Sequence, residues 1–170
     1  YFRQDPVIYY EVPSDGQYVL EIRDSLYRGR EDFVYRVTIG ELPFVTGVFP
    51  LGGRAGAQVA VELQGWNLPV TKLTVDAFVD RRRPIRWYNV RQTEQVSLRV
   101  PLAIDMYSEC LDQEPNNDRE QAQAVTLPII VNGRIDQPGD CDVFRFEAQG
   151  KTVAEVFARR LGSPVDSILR

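Results

Sequence analysis

The chain contains no histidine. This excludes the Ser-His-Asp and Cys-His nucleophiles, the histidine general base and the usual zinc-enzyme site from these 170 residues. Lysine is almost as scarce. Lys72 and Lys151 are the only two among twenty basic residues, so arginine carries nearly all the positive charge. Two cysteines, Cys110 and Cys141, are too few for a disulfide scaffold and enough for one staple. No apolar run reaches membrane-span length, and no stretch has the basic-then-apolar form of a signal peptide. With 24 acidic residues the net charge is -4, a balance unsuited to a protein whose main task is gripping a phosphate backbone. Tyr1 is not an initiator methionine, and the abrupt ends are expected of a segment of a longer polypeptide.

What is present is period-two alternation along most of the chain, which points to an all-β fold. In GQYVLEIRD, Tyr18, Leu20 and Ile22 fall on one face. In DFVYRVTIG, Phe33, Tyr35, Val37 and Ile39 do the same. Asp15-Gly16 is a hairpin-grade dipeptide, so residues 7–39 are predicted to form three antiparallel strands. A second unit begins near Glu41. FPLGGRAGAQ reads as an apolar stretch and a Gly-rich turn, after which Val59, Val61 and Leu63 share a face. Gly65 is expected to turn the chain, with Trp66 and Leu68 closing a sandwich edge. KLTVDAFV, PIRWYNV and QVSLRVPLA supply further strands, enough for a small two-sheet domain. From Met106 to Gln123 the alternation fails in an acidic, polar segment, where Asp118 is placed to cap a short helical turn. LPIIVNGRI, DVFRFEA and KTVAEVFAR then read as three strands separated by the turns QPGD and QGK.

The last third resembles the bacterial pre-peptidase C-terminal (PPC) family. The resemblance is carried by Glu114-Pro115-Asn116-Asn117, Ala122 with Ala124, Gly133-Arg134-Ile135, Asp140-Cys141-Asp142-Val143-Phe144-Arg145-Phe146 and Leu161-Gly162-Ser163-Pro164-Val165-Asp166. Residues 1–40 resemble the closing half of the same family through Gly16, Tyr18, Leu20, Ile22 and Asp24, then Tyr27, Tyr35, Val37 and Ile39. Residues 44–69 look like an immunoglobulin-like IPT/TIG module. The resemblance implies an immunoglobulin-like β-sandwich over 41–108, flanked by PPC-type, jelly-roll-like β-sandwich halves at 1–40 and 109–170. Half a sandwich exposes an apolar face and open edges. Either the missing halves lie elsewhere in a longer chain, or 114–170 and 1–40 complete one another, within the chain or by domain-swapped self-association.

Glu114, Asn117, Asp118, Asp140 and Asp142 offer hard oxygens of the kind calcium takes, with Asn116 the weaker member of the group. The resemblance implies the same, since some collagen-binding PPC domains carry calcium where the EPNN segment meets the D-x-D strand. The other reading is an acidic linker and solvated loop aspartates held by backbone hydrogen bonds. Cys110 and Cys141 form a disulfide candidate if the linker packs on the D-x-D strand; otherwise they are one buried and one exposed thiol. Arg81, Arg82, Arg83 and Arg86 with Trp87 and Tyr88 form a basic, aromatic run. It reads either as a contact for an anion, a polysaccharide or nucleic acid, or as a hairpin turn with solvated arginines.

Catalysis finds little purchase. Ser14 and Ser163 lack the G-x-S-x-G setting and any histidine, and GGRAG lacks the lysine and Ser/Thr of a phosphate loop. The resemblance to PPC and IPT/TIG modules implies a noncatalytic extracytoplasmic module, periplasmic, secreted or at the cell surface. It would act as a spacer and accessory binding or adhesion segment of a larger bacterial protein, with that protein's other domains and an extracellular protein or polysaccharide as partners, and not nucleic acid. The alternative is a calcium-dependent glycan- or matrix-protein-binding module attached to a secreted hydrolase, using Tyr9, Tyr10, Tyr27, Trp87 or Tyr107 for contact. A third reading, an enzyme fragment, needs a catalytic domain outside these residues.

Overall fold

A computed structural model describes residues 5–78, 84–91 and 97–170. The described chain is all-β, with one short 3-10 turn at Arg159–Leu161. Six strands build the middle of the molecule: β1 (Phe44–Phe49), β2 (Gly52–Arg54), β3 (Gln58–Trp66), β4 (Lys72–Asp76), β5 (Ile85–Arg91) and β6 (Ser97–Asp105). They form two three-stranded sheets, in the orders β1-β3-β4 and β2-β6-β5. Alternation determines which side chains face inward. Val45, Val61, Leu63 and Val75 from the first sheet, with Ala77 beyond it, meet Val100, Leu102 and Ile104 from the second in one core. Burying each of the larger aliphatic side chains contributes about 1.5–3 kcal/mol, so this layer holds the fold together.

Two glycines are required by close approach rather than by a turn. A Cβ at Gly52 would stand 2.2 Å from the Ala103 carbonyl oxygen, across the parallel β2–β6 ladder. A Cβ at Gly65 would stand 1.9 Å from the Phe44 carbonyl oxygen. Gly65 thus lies inside β3, paired with Val45, and does not make the turn expected of it. The turn follows at Asn67, which adopts a left-handed φ of 50° and donates from Nδ2 to the Leu42 carbonyl.

Beyond the sandwich, β7 (Ser108–Leu111) pairs in parallel with β9 (Ile129–Asn132). Likewise β8 (Gln123–Ala124) pairs in parallel with β10 (Phe144–Arg145). The segment between β7 and β8 contains the expected cap. Asp118 Oδ1 accepts from the backbone N–H groups of Glu120 and Gln121, both at 2.9 Å, and holds a turn rather than a helix. Among the described residues, no helix is long and apolar enough to cross a membrane.

The three strands expected within 7–39 are not formed; residues 5–42 hold no strand. Their backbone hydrogen bonds to one another are local: Tyr27 N to Asp24 O, Phe33 N to Arg30 O and Leu42 N to Gly40 O. Strands need a ladder partner, and alternation alone supplies none. The same holds for KTVAEVFAR, which is not a strand and leads instead into the Arg159–Leu161 turn. Leu161 itself is buried, with its turn against β6.

Candidate functional site

The acidic segment after β7 folds back onto the turn before β10, and hydrogen bonds hold the two together. Asp112 donates its backbone N–H to the Asn132 carbonyl, extending the β7–β9 pairing by one residue. Its Oδ2 accepts from the Arg134 backbone N–H at 3.2 Å. Two residues on, Glu114 Oε2 accepts from the Asn116 backbone N–H at 3.1 Å. The Asn116 carbonyl accepts in turn from Val143 N–H at 3.0 Å, and Asn117 Oδ1 from Cys141 N–H at 2.9 Å. The Glu-Pro-Asn-Asn stretch is thereby fixed against the Asp-Cys-Asp stretch.

This packing brings Asp112, Glu114 and Asp142 together, with one oxygen of each within 4.8 Å of the others. Confinement makes the charged form of Asp142 harder to hold. Burial first, then the neighbouring carboxylates of Asp112, Asp140, Glu114 and Asp136, pushes Asp142 up to about 6. Gly133 forms part of the wall, since a Cβ there would stand 2.7 Å from Asp142 Oδ2. Asn116, backbone-tied to Glu114 and Val143, is fully buried, and its Oδ1 and Nδ2 have no hydrogen-bond partner among the described residues. Asp142 Oδ1 is orphaned in the same way. Unpartnered buried polar atoms are costly, and the three carboxyl groups themselves present a set of hard oxygens. That chemistry fits an oxygen-seeking cation of the calcium type.

Of the five residues expected as ligands, Glu114 and Asp142 join this cluster. The other three use side-chain oxygens on backbone N–H groups: Asn117 on Cys141, Asp118 on Glu120 and Gln121, and Asp140 on Asp136 at 2.6 Å. Sequence reasoning missed Asp112. It stands outside the EPNN motif, and only the acidic density from Glu109 onward pointed to it. Asn116, the weaker choice by sequence, proves to be the fully buried member.

The expected Cys110–Cys141 bridge is not formed, and both thiols are free. Cys110 is held in the β7–β9 ladder opposite Val131, while Cys141 lies exposed beyond the hydrogen bond to Asn117. Burial, with Asp112 and Glu109 nearby, pushes the Cys110 thiol up, away from the reactive thiolate. Burial likewise pushes Glu109 up, against the hydrogen bond it accepts from Asn132 Nδ2 at 2.9 Å.

Within the basic run, Arg81, Arg82 and Arg83 lie outside the described residues. Arg86, Trp87 and Tyr88 sit on β5, whose alternation separates the two aromatics. Trp87 is exposed, whereas Tyr88 packs against the core and donates its hydroxyl to the Asp76 carbonyl at 3.1 Å. The pair therefore presents one ring outward, not a two-ring stacking surface. The other proposed contact aromatics, Tyr9, Tyr10, Tyr27 and Tyr107, are all exposed. Tyr9 stacks on Trp66 at 4.9 Å, and Trp66 stacks on Phe44 at 5.5 Å. Tyr10 meets Tyr18 edge-on, and the Arg23 guanidinium covers the Tyr27 ring.

Comparison of the chain with protein-family models, curated proteins and solved structures finds no match in any of the three.

Proposed function

We propose that this chain is a noncatalytic, extracytoplasmic β-sandwich segment that spaces and orients the parts of a larger exported or cell-surface bacterial protein. The observation that carries this reading is the joint between the middle sandwich and the last third. Only Met106 and Tyr107 separate β6 from β7, too few residues for a free hinge. Arg134 then fastens the other side. Its guanidinium lies 3.9 Å from the centroid of the Phe49 ring and bonds Glu62 Oε2 at 3.3 Å, while its backbone N–H is held by Asp112. Glu62 is shared with Lys72 at 3.2 Å, and these two hydrogen-bonded cations hold its carboxyl below its ordinary range. A short covalent connection plus a lateral clamp is the construction expected of a spacer. The resemblance to PPC and IPT/TIG modules supports the extracytoplasmic setting. Small-angle scattering of the intact chain tests this reading: one fixed orientation should fit the wild-type curve, and a curve demanding freely reorienting units would overturn it.

A second reading is favoured by the acidic cluster: a calcium-dependent glycan- or matrix-protein-binding module attached to a secreted hydrolase. Asp112, Glu114 and Asp142 would hold the ion with the Asn116 amide oxygen, and the exposed aromatics would meet the ligand. The ion would supply positive charge that relieves carboxylate repulsion and locks the linker to the Asp-Cys-Asp turn. Calcium should raise Tm for the wild type and fail to do so for Asp112→Asn. No gain for the wild type eliminates this reading and leaves the spacer untouched.

A further inference from the structure

The last third of the chain holds a groove that neither the joint nor the acidic cluster accounts for. It opens between β7 and β8 with a volume of about 1030 Å³, the size of a ligand site. Its lining is mixed. Tyr107 and Leu127 give apolar surface, whereas Ser108, Gln113, Gln121 and Thr126 give hydroxyls and amides. All six are exposed. The four polar side chains and the Tyr107 hydroxyl make no hydrogen bond to other described residues. Among the described residues of the lining, Glu114 alone is charged.

Gln123 decides between classes of ligand. Its Oε1 accepts from the Gln113 N–H at 2.9 Å, and its Nε2 donates to the Leu111 carbonyl at 3.0 Å. The last carbonyl of β7 and the N–H beyond it are therefore taken. An extended peptide binds a sheet edge by continuing the main-chain ladder, and here that ladder is closed by a side chain. A polyanion is disfavoured as well, because the one charge in the lining is a carboxylate. A neutral polyol suits what remains. Free amides and hydroxyls exchange hydrogen bonds with sugar hydroxyls, and an exposed tyrosine ring packs on the apolar C–H face of a pyranose. We propose that the β7–β8 groove binds a neutral oligosaccharide, with the Tyr107 ring as platform and Gln113 and Gln121 as hydrogen-bonding partners. Tyr107 belongs to the two-residue connection between β6 and β7, so a strand on each side fixes its backbone. The proposal rests on the glycan half of the second reading above and gives it a site; it does not require the ion.

Isothermal titration of the intact chain with cellohexaose, maltohexaose and N-acetylchitohexaose tests this. At least one of them should bind with a Kd near about 1 mM, the strength of a few solvent-exposed contacts. Tyr107→Ala should weaken that binding about tenfold and Gln121→Ala about threefold, whereas Tyr107→Trp should retain it. Both positions are exposed, and circular dichroism confirms that the variants keep the wild-type β signal. Binding that either alanine variant leaves unchanged overturns the assignment to this groove and leaves a glycan-binding module in place. Loss in Trp87→Ala alone does the same, by moving the contact to β5. Failure of the wild type to bind any of the three overturns the glycan reading and this inference together. Binding of soluble gelatin without binding of any saccharide assigns the chain a protein ligand and likewise overturns the inference.

Discussion

Residues 44–105 and residues 5–42 carry the same kind of sequence and meet different fates. Both alternate apolar and polar side chains, and both contain turn-forming glycines. In the first, inward side chains of one sheet meet those of the other in a single core, where Val100 and Leu102 are wholly buried. In the second, Val19 and Val34 remain 95% and 84% exposed, and no ladder forms. Alternation specifies how a strand would present its faces; whether it becomes one depends on a partner that its own sequence does not contain.

The sharpest way to break this comparison is to truncate one aliphatic side chain to alanine in each region. Leu102→Ala should cost about 2–5 kcal/mol in denaturant unfolding, because it leaves a cavity between the two sheets. Val19→Ala should fall within about 0.5 kcal/mol of the wild type, as exposed positions do. Equal losses at the two sites would show that residues 5–42 share the core.

Glycine substitutions probe backbone approach in the same two regions. Gly52→Ala drives a methyl group into the Ala103 carbonyl and should cost about 1–3 kcal/mol. Gly29→Ala meets no atom within 4 Å and should be close to neutral. Unfolding curves for the two variants decide this directly.

A smaller effect is expected from the acidic cluster, because solvent screens its partly exposed carboxyl groups. Asp142 titrates at about 6 in the fold, above the value near 4 of an unfolded aspartate. The folded state thus holds the proton more tightly. The stabilisation is fully present below about pH 4 and is lost as the pH rises to about 6. In chelator-treated protein, Tm should fall across that window, and Asp142→Asn should flatten the fall. A wild-type Tm that rises over the same window contradicts the crowding described for this carboxyl.

The smallest effect concerns the joint. Arg134→Ala removes a ring contact and an exposed ion pair, so it should cost no more than about 1 kcal/mol. Its signature is a broader distribution of maximum dimensions in small-angle scattering at unchanged secondary structure. An unaltered distribution would assign the joint's stiffness to the short β6–β7 connection alone.

Much of the sandwich was legible before any coordinates. The runs KLTVDAFV, PIRWYNV and QVSLRVPLA hold β4, β5 and β6, whose alternation brings Val75, Tyr88, Val100 and Leu102 to the core. Asp118 was legible as a cap because capping is decided within a few residues. Non-local features were harder to read. The place of Gly65 depends on Phe44, some twenty residues away, so local turn chemistry put the turn at Gly65, two residues before Asn67. Asp112 joins Glu114 and Asp142 only after the linker folds back through Asn116 and Val143, and no motif spacing encodes that return. The cysteines illustrate the reverse error: proximity of their host segments was foreseen, but Cys110 is held within a ladder while Cys141 remains in an exposed turn.

Amide hydrogen exchange on the intact chain tests the contrast most directly. Slow exchange should be confined to the paired strands, above all 58–66 and 97–105, while 16–24 and 33–39 exchange as open chain. Strong protection of 16–24 and 33–39 would contradict the account, since those residues would then have found a sheet within their own chain.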